Sequence, residues 1–140
     1  MCIRDRDAPD EPVFRESKSA QDALLDVLNE LRALAQRITQ SKRAKDDLAN
    51  WQRLVKVTTA GGTFGFSIQE SAITVLPHGD VDGEDLLLAV EDPAALLPWL
   101  QRGAALTNLI MDGTLWVNKS ELETITRLDR LPRSLRRDGV

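Results

Sequence analysis

The sequence predicts an α+β domain built on a mostly antiparallel sheet. Strand-like and helix-like stretches fall in separate runs rather than in the strict alternation that builds a parallel sheet. Residues 53–77 hold three short strand-like stretches in close succession, a meander. Apolar residues at helical spacing precede that meander and close the chain.

Residues 1–17 are expected to be a tail, with two prolines and clustered acids but no period in "DAPDEPVFRES" (7–17). Its first six residues, "MCIRDR", resemble translated sequencing-adapter read-through. On that reading Met1 is not the native start and Cys2 is not a native cysteine, so the segment stays outside fold reasoning. Ser19 with Asp22 has the form of a capping box. Beyond it Leu24, Leu28, Leu31, Ala35 and Ile38 recur in steps of four and three, which predicts a helix over 19–38 with one apolar face. No glycine or proline interrupts 13–60, so further helical turns are expected in "SKRAKDDLANW".

Strands are predicted at 53–59, ended by Gly61-Gly62, and at 63–69, where Phe64, Phe66 and Ile68 alternate with Gly65 and Ser67. Residues 72–77 form the next, with Ile73 and Val75 on one face, and 84–90 a fourth with apolar residues on both faces. Asp92 and Pro93 read as N-cap and first turn of a helix that Gly103 closes, and Pro98 is expected to kink or break it. "ALTNLIM" (105–111) fits either a short helix or a strand. Asp112-Gly113 is a turn, and 114–118 a strand with Leu115 and Val117 opposed to Trp116. A last helix, capped by Ser120 with Glu123, is expected to end at Pro132. The domain is thus expected over 18–131, followed by a basic tail at 132–140.

Composition narrows the function classes. At 140 residues the chain can bury roughly two-thirds of its unfolded surface as one domain. Hydrophobic residues at 42% and charged ones at 29% suit a globular fold. No apolar run approaches bilayer length. A net charge of −4 argues against a nucleic-acid partner. One cysteine and one histidine cannot build a Cys/His metal cage or an internal disulfide.

The run from Ser67 to Leu128 resembles the sterol carrier protein type-two family. The resemblance rests on Gly79 after a strand pair, Asp85-Leu86-Leu87-Leu88, a helix carrying Leu96-Leu97, Leu100 and Gly103, the apolar Leu109 to Met111, and Gly113-Thr114-Leu115-Trp116-Val117. It covers roughly residues 53–131 through short hydrophobic motifs. The chain departs from the family at Asn118-Lys119-Ser120, where a Gly-Asp pair is common, and at Pro98. The resemblance implies five strands, helices covering one face of the sheet, and an apolar tunnel between the layers. It also implies that "ALTNLIM" is helical and that a lipid or other hydrophobic molecule is bound without catalysis. By the same resemblance Phe64, Phe66, Ile68, Leu96, Leu100, Leu109, Met111 and Trp116 would border the tunnel. Periodicity alone cannot tell such a wall from ordinary core.

Catalytic and metal readings find little support. His78, in a loop after Pro77, has no nucleophile partner by spacing and reads as solvent-exposed. The acidic loop with Asp80, Asp82, Glu84 and Asp85 fails an EF-hand test, since placing Gly83 at the invariant glycine puts His78 first and Ala89 last. Gly61-Gly62 and Gly65 lack the Lys-Ser/Thr of a phosphate loop. Neither a cofactor nor a metal is therefore expected. Arg133, Arg136 and Arg137 could meet anionic lipid head groups, or form a solvated tail. The expected role is non-catalytic lipid binding or transfer in the bacterial cytoplasm. The competing expectation is an accessory or dimerisation module of a larger assembly, with its cavity filled by its own side chains and the 19–38 helix as homodimer contact.

Overall fold

A computed structural model describes residues 12–78, 83–118 and 122–140. Five strands form one sheet: β1 (Arg53–Thr59), β2 (Gly62–Gln69), β3 (Ala72–Leu76), β4 (Leu86–Val90) and β5 (Leu115–Val117). The helices are α1 (Lys18–Ile38), α2 (Lys42–Leu48), α3 (Leu97–Arg102), α4 (Leu106–Met111) and α5 (Leu122–Arg137), with a 3-10 turn (Pro93–Leu96) before α3. The α+β class holds, and "ALTNLIM" is helical. Strand order is β3-β2-β1-β4-β5, antiparallel throughout except for the parallel pair β1–β4.

Alternation sorts each strand into two faces. Val55 and Val57, Phe64, Phe66 and Ile68, Leu86, Leu88 and Val90 are buried beneath the helices. β4 is buried along its whole length, as expected of a strand with apolar residues on both sides. Asp85 opens it: the Leu54 N–H donates to its carboxylate at 2.9 Å and its own N–H donates to the Leu54 carbonyl at 2.8 Å. Asn118 extends β5, its side-chain oxygen accepting from Leu87 N at 3.1 Å and its N–H donating to Leu87 O at 3.2 Å. The departure at Asn118 therefore keeps the sheet ladder running.

α1 begins two residues earlier than its capping box suggested. Ser17, with extended backbone, is the N-cap, and its hydroxyl accepts from Ala20 N at 3.3 Å. Ser17 N–H also donates to Ala60 O at 3.1 Å, which seats the helix start on the β1–β2 turn. Gly61 permits that approach, since a Cβ there would lie 2.3 Å from Ala20 O. The apolar face of α1, including Leu24, Leu28, Leu31 and Ile38, is buried in the chain's own core. That face packs within the chain itself, while Leu25, on the same helix, is 61% exposed.

The helix expected from Pro93 to Gly103 is interrupted just before Pro98, as a 3-10 turn (Pro93–Leu96) followed by α3 from Leu97. The 3-10 turn capped by Asp92 absorbs the entry, so Pro98 falls in the first turn of α3, where no intrahelical N–H is needed. Gly103 closes α3 in the left-handed conformation.

Pro132 does not end α5; the helix runs through it to Arg137. The missing N–H would have bonded the Leu128 carbonyl, and the Trp99 indole donates to that oxygen instead, at 2.8 Å. The expected tail at 132–140 is thus mostly packed helix, with Ser134 and Leu135 buried. Asp138 closes it onto α2, accepting from Ser41 Oγ at 2.7 Å and from Arg43 N and Nε at 3.0 Å each. The expected Ser120 cap, Gly79, Asp80, Asp82 and the opening six residues lie outside the described residues.

Candidate functional site

Between the sheet and the helices lies an enclosed apolar void. Its floor is Val57 of β1, Phe64 and Phe66 of β2, and Leu88 of β4, which share a face through the pairings Val57↔Phe64 and Val57↔Leu88. Val27 and Leu31 of α1 and Leu96 of the 3-10 turn bound its sides. Trp99, Leu100, Leu106 and Leu128 roof it from α3, α4 and α5. No polar atom faces it, because the one polar tip among these side chains, the Trp99 indole N–H, is held by Leu128 O.

The void measures about 10 Å³. That is roughly the room of one water molecule. The tunnel implied by the resemblance is therefore closed, because Phe64, Leu31, Leu100 and Leu106 occupy the space themselves.

Four of the eight expected wall residues meet here: Phe64, Phe66, Leu96 and Leu100. Ile68 is buried on the same face of β2 but away from the void, and Leu109 is half-buried at the margin of the core. Trp116 pairs with Ala89 on the opposite face of the sheet, the outcome that its alternation with Leu115 and Val117 requires. Its indole N–H is buried there without a hydrogen-bond partner. Met111 is 80% exposed. α4 turns Leu106, Leu109 and Ile110 toward the core, and Met111, five residues on from Leu106, falls on the far side.

Seven wall residues were not expected: Val27, Leu31, Val57, Leu88, Trp99, Leu106 and Leu128. Each already belonged to an apolar strand or helix face, so the signal was present as burial but not as position.

Around the void the polar side chains do structural work. Asp129 accepts from Leu106 N at 2.6 Å and Thr107 Oγ1 at 2.8 Å, capping α4 from α5. Thr114 holds the Asp112 carboxyl below its ordinary range through its hydroxyl and its N–H, fixing the turn before β5. His78 is exposed. Among the described residues no group of three or more His, Cys, Asp or Glu side chains could hold a metal ion. No described helix is long and apolar enough to cross a membrane.

No protein-family model matches the chain, and no curated protein matches its sequence significantly. Solved structures do match. The SCP2 domain described as "UbiJ-SCP2 Ubiquinone synthesis protein" superposes with TM-score 0.58 at 21% identity, covering 79% of this chain and 96% of that one. Part of the stereoselective inverting sec-alkylsulfatase Pisa1 from Pseudomonas sp. superposes with TM-score 0.54 at 14% identity. That match covers 68% of this chain but only 14% of the sulfatase. Sterol carrier protein 2 from Yarrowia lipolytica, in its apo form, matches with TM-score 0.45 at 17% identity over 83% of this chain and 86% of that one. The chain has the sterol-carrier-like fold.

Proposed function

We propose that this domain binds a lipid or lipid-like small molecule between its sheet and its helices, in a pocket that is collapsed when empty. One observation carries the reading: side chains from β1, β2, β4 and five helical elements converge on a void whose wall presents no polar group. Such a wall offers an apolar chain burial and offers a reaction no acid, base or nucleophile. The role is binding rather than catalysis, in the bacterial cytoplasm. Room comes from rotamer changes of lining side chains such as Phe66, Leu96 and Leu100.

A second reading has its own observation. A void of about 10 Å³ is close to a finished core, which needs no ligand. In that case the domain is an accessory module of a biosynthetic assembly, a role that the likeness to a ubiquinone-synthesis protein's domain suggests.

The two readings part on uptake of cis-parinaric acid, followed by native mass spectrometry and organic extraction of cell-purified protein. The binding reading expects saturable fluorescence, a co-purifying lipid, and a loss of at least about tenfold in affinity for Leu100→Trp, equivalent to ~1.4 kcal/mol. With so little free space the indole also overpacks the empty state, lowering stability by ~1–3 kcal/mol. No probe uptake together with a bare mass would sink ligand binding and leave the accessory module.

A further inference from the structure

We propose that the groove between α2 and α5 docks the phosphodiester head groups of an anionic lipid bilayer. The two helices pack together and leave an open cleft of about 450 Å³ on their solvent side. Arg130, Arg133 and Arg137 line it from α5, at the spacing that puts all three on one helical face. Arg43 faces them from α2.

The groove's acidic residues are already engaged. Asp46 pairs with Lys42 at 3.1 Å, and Asp47 accepts from the Ser134 hydroxyl. Arg43 is held by Asp138 at 3.0 Å. Arg130, Arg133 and Arg137 are exposed and make no hydrogen bond or ion pair among the described residues. Three guanidinium groups thus stand side by side with nothing to bind but what arrives from solvent. Their planar donor forks match phosphate oxygens two at a time.

The occupant follows from the shape of the site and its setting. Among the described residues the groove's one buried polar side chain, Ser134, is taken by Asp47, and the free donors lie in a row along the exposed face of α5 rather than in an enclosed cradle for one soluble anion. A row of exposed cations suits an array of head groups, where each contributes additively near a negative surface. The chain as a whole carries −4, so this face is the one that an anionic bilayer attracts while the rest is repelled. The arginine set also differs from the one that sequence order suggested. Arg136 turns away, its Nη2 donating to Arg102 O at 2.7 Å, while Arg130 and Arg43 join Arg133 and Arg137. The proposal stands apart from hydrophobic-ligand binding, because vesicle binding and parinaric acid uptake are read separately.

The test is co-sedimentation with vesicles of equal parts phosphatidylglycerol and phosphatidylcholine, with pure phosphatidylcholine as the neutral surface. The wild type should bind the anionic vesicles at low salt, ignore the neutral ones, and detach as salt rises. The triple variant Arg130→Gln/Arg133→Gln/Arg137→Gln should lose binding by on the order of a hundredfold. Arg15→Gln/Lys18→Gln/Arg32→Gln removes the same charge elsewhere and should bind within about twofold of wild type. If the groove triple variant does not fold, Arg133→Glu and Arg137→Glu replace it singly, and each must weaken binding. Equal loss in both triple variants, equal binding to neutral vesicles, or no binding to anionic ones would overturn the proposal. So would saturable binding of inorganic phosphate without vesicle binding, which would assign the groove to a soluble anion.

Discussion

A proline at position 132 leaves the Leu128 carbonyl without its helical donor, and the Trp99 indole supplies one from α3 at 2.8 Å. Trp99→Phe keeps the ring but removes the donor, leaving a buried carbonyl unpaired at a cost of ~1–3 kcal/mol. Pro132→Ala restores an N–H to the helix, so Trp99→Phe should cost clearly less in that background. A double-mutant cycle on urea melts reads the difference, and equal costs in both backgrounds would refute the link. The sequence marked Pro132 as a stop because a stop signal is local, whereas the rescuing donor comes from 33 positions upstream. The same limit governed the wall residues. Alternation put Phe64 and Phe66 on the buried face, and the helical pattern did so for Leu96 and Leu100. Neither pattern says which buried residues end at a void, so Val27, Leu31 and Val57 were legible as core and illegible as wall.

Among the elements, α5 departs furthest from its sequence reading. Leu128, Leu131 and Leu135 are all fully buried, so the core face continues past the proline without interruption. Leu135→Ala should therefore destabilise by ~2–5 kcal/mol in a denaturant melt, the range for a leucine truncated in a packed core. A solvated tail would show no change. α1 and the β1–β3 meander were legible in kind and nearly in extent, because amphipathic spacing and strand alternation are strong over such lengths. The parallel pairing of β1 with β4 was not, since partners such as Val57 and Leu88 leave no local mark on either strand. The five strands were legible in the pattern, and the resemblance supplied the helical character of α4, which periodicity left open.

Across the whole molecule, Asp138 ties the end of α5 to the start of α2. The Arg43 N–H, then the Ser41 hydroxyl, hold its carboxyl below the ordinary aspartate range, against a smaller opposing effect of burial. A carboxyl lowered in the folded state adds stability above its unfolded value, and that stability is lost as pH falls through the folded one. Melting temperature should accordingly drop below about pH 4, and drop less in Asp138→Asn, which is less stable than wild type at neutral pH. Parallel acid profiles for the two proteins would remove Asp138 from the account.

Void and sheet together place one demand on the order in which the protein can be completed during synthesis. β1 waits for residues 86–90 to gain its parallel neighbour, and the floor formed by Val57, Phe64 and Phe66 waits for Leu128 of α5 to be covered. Until residues 122–137 have been made, a nascent chain lacks one of the helices that cover this apolar sheet face and leaves part of the core unroofed, the kind of surface that chaperones capture.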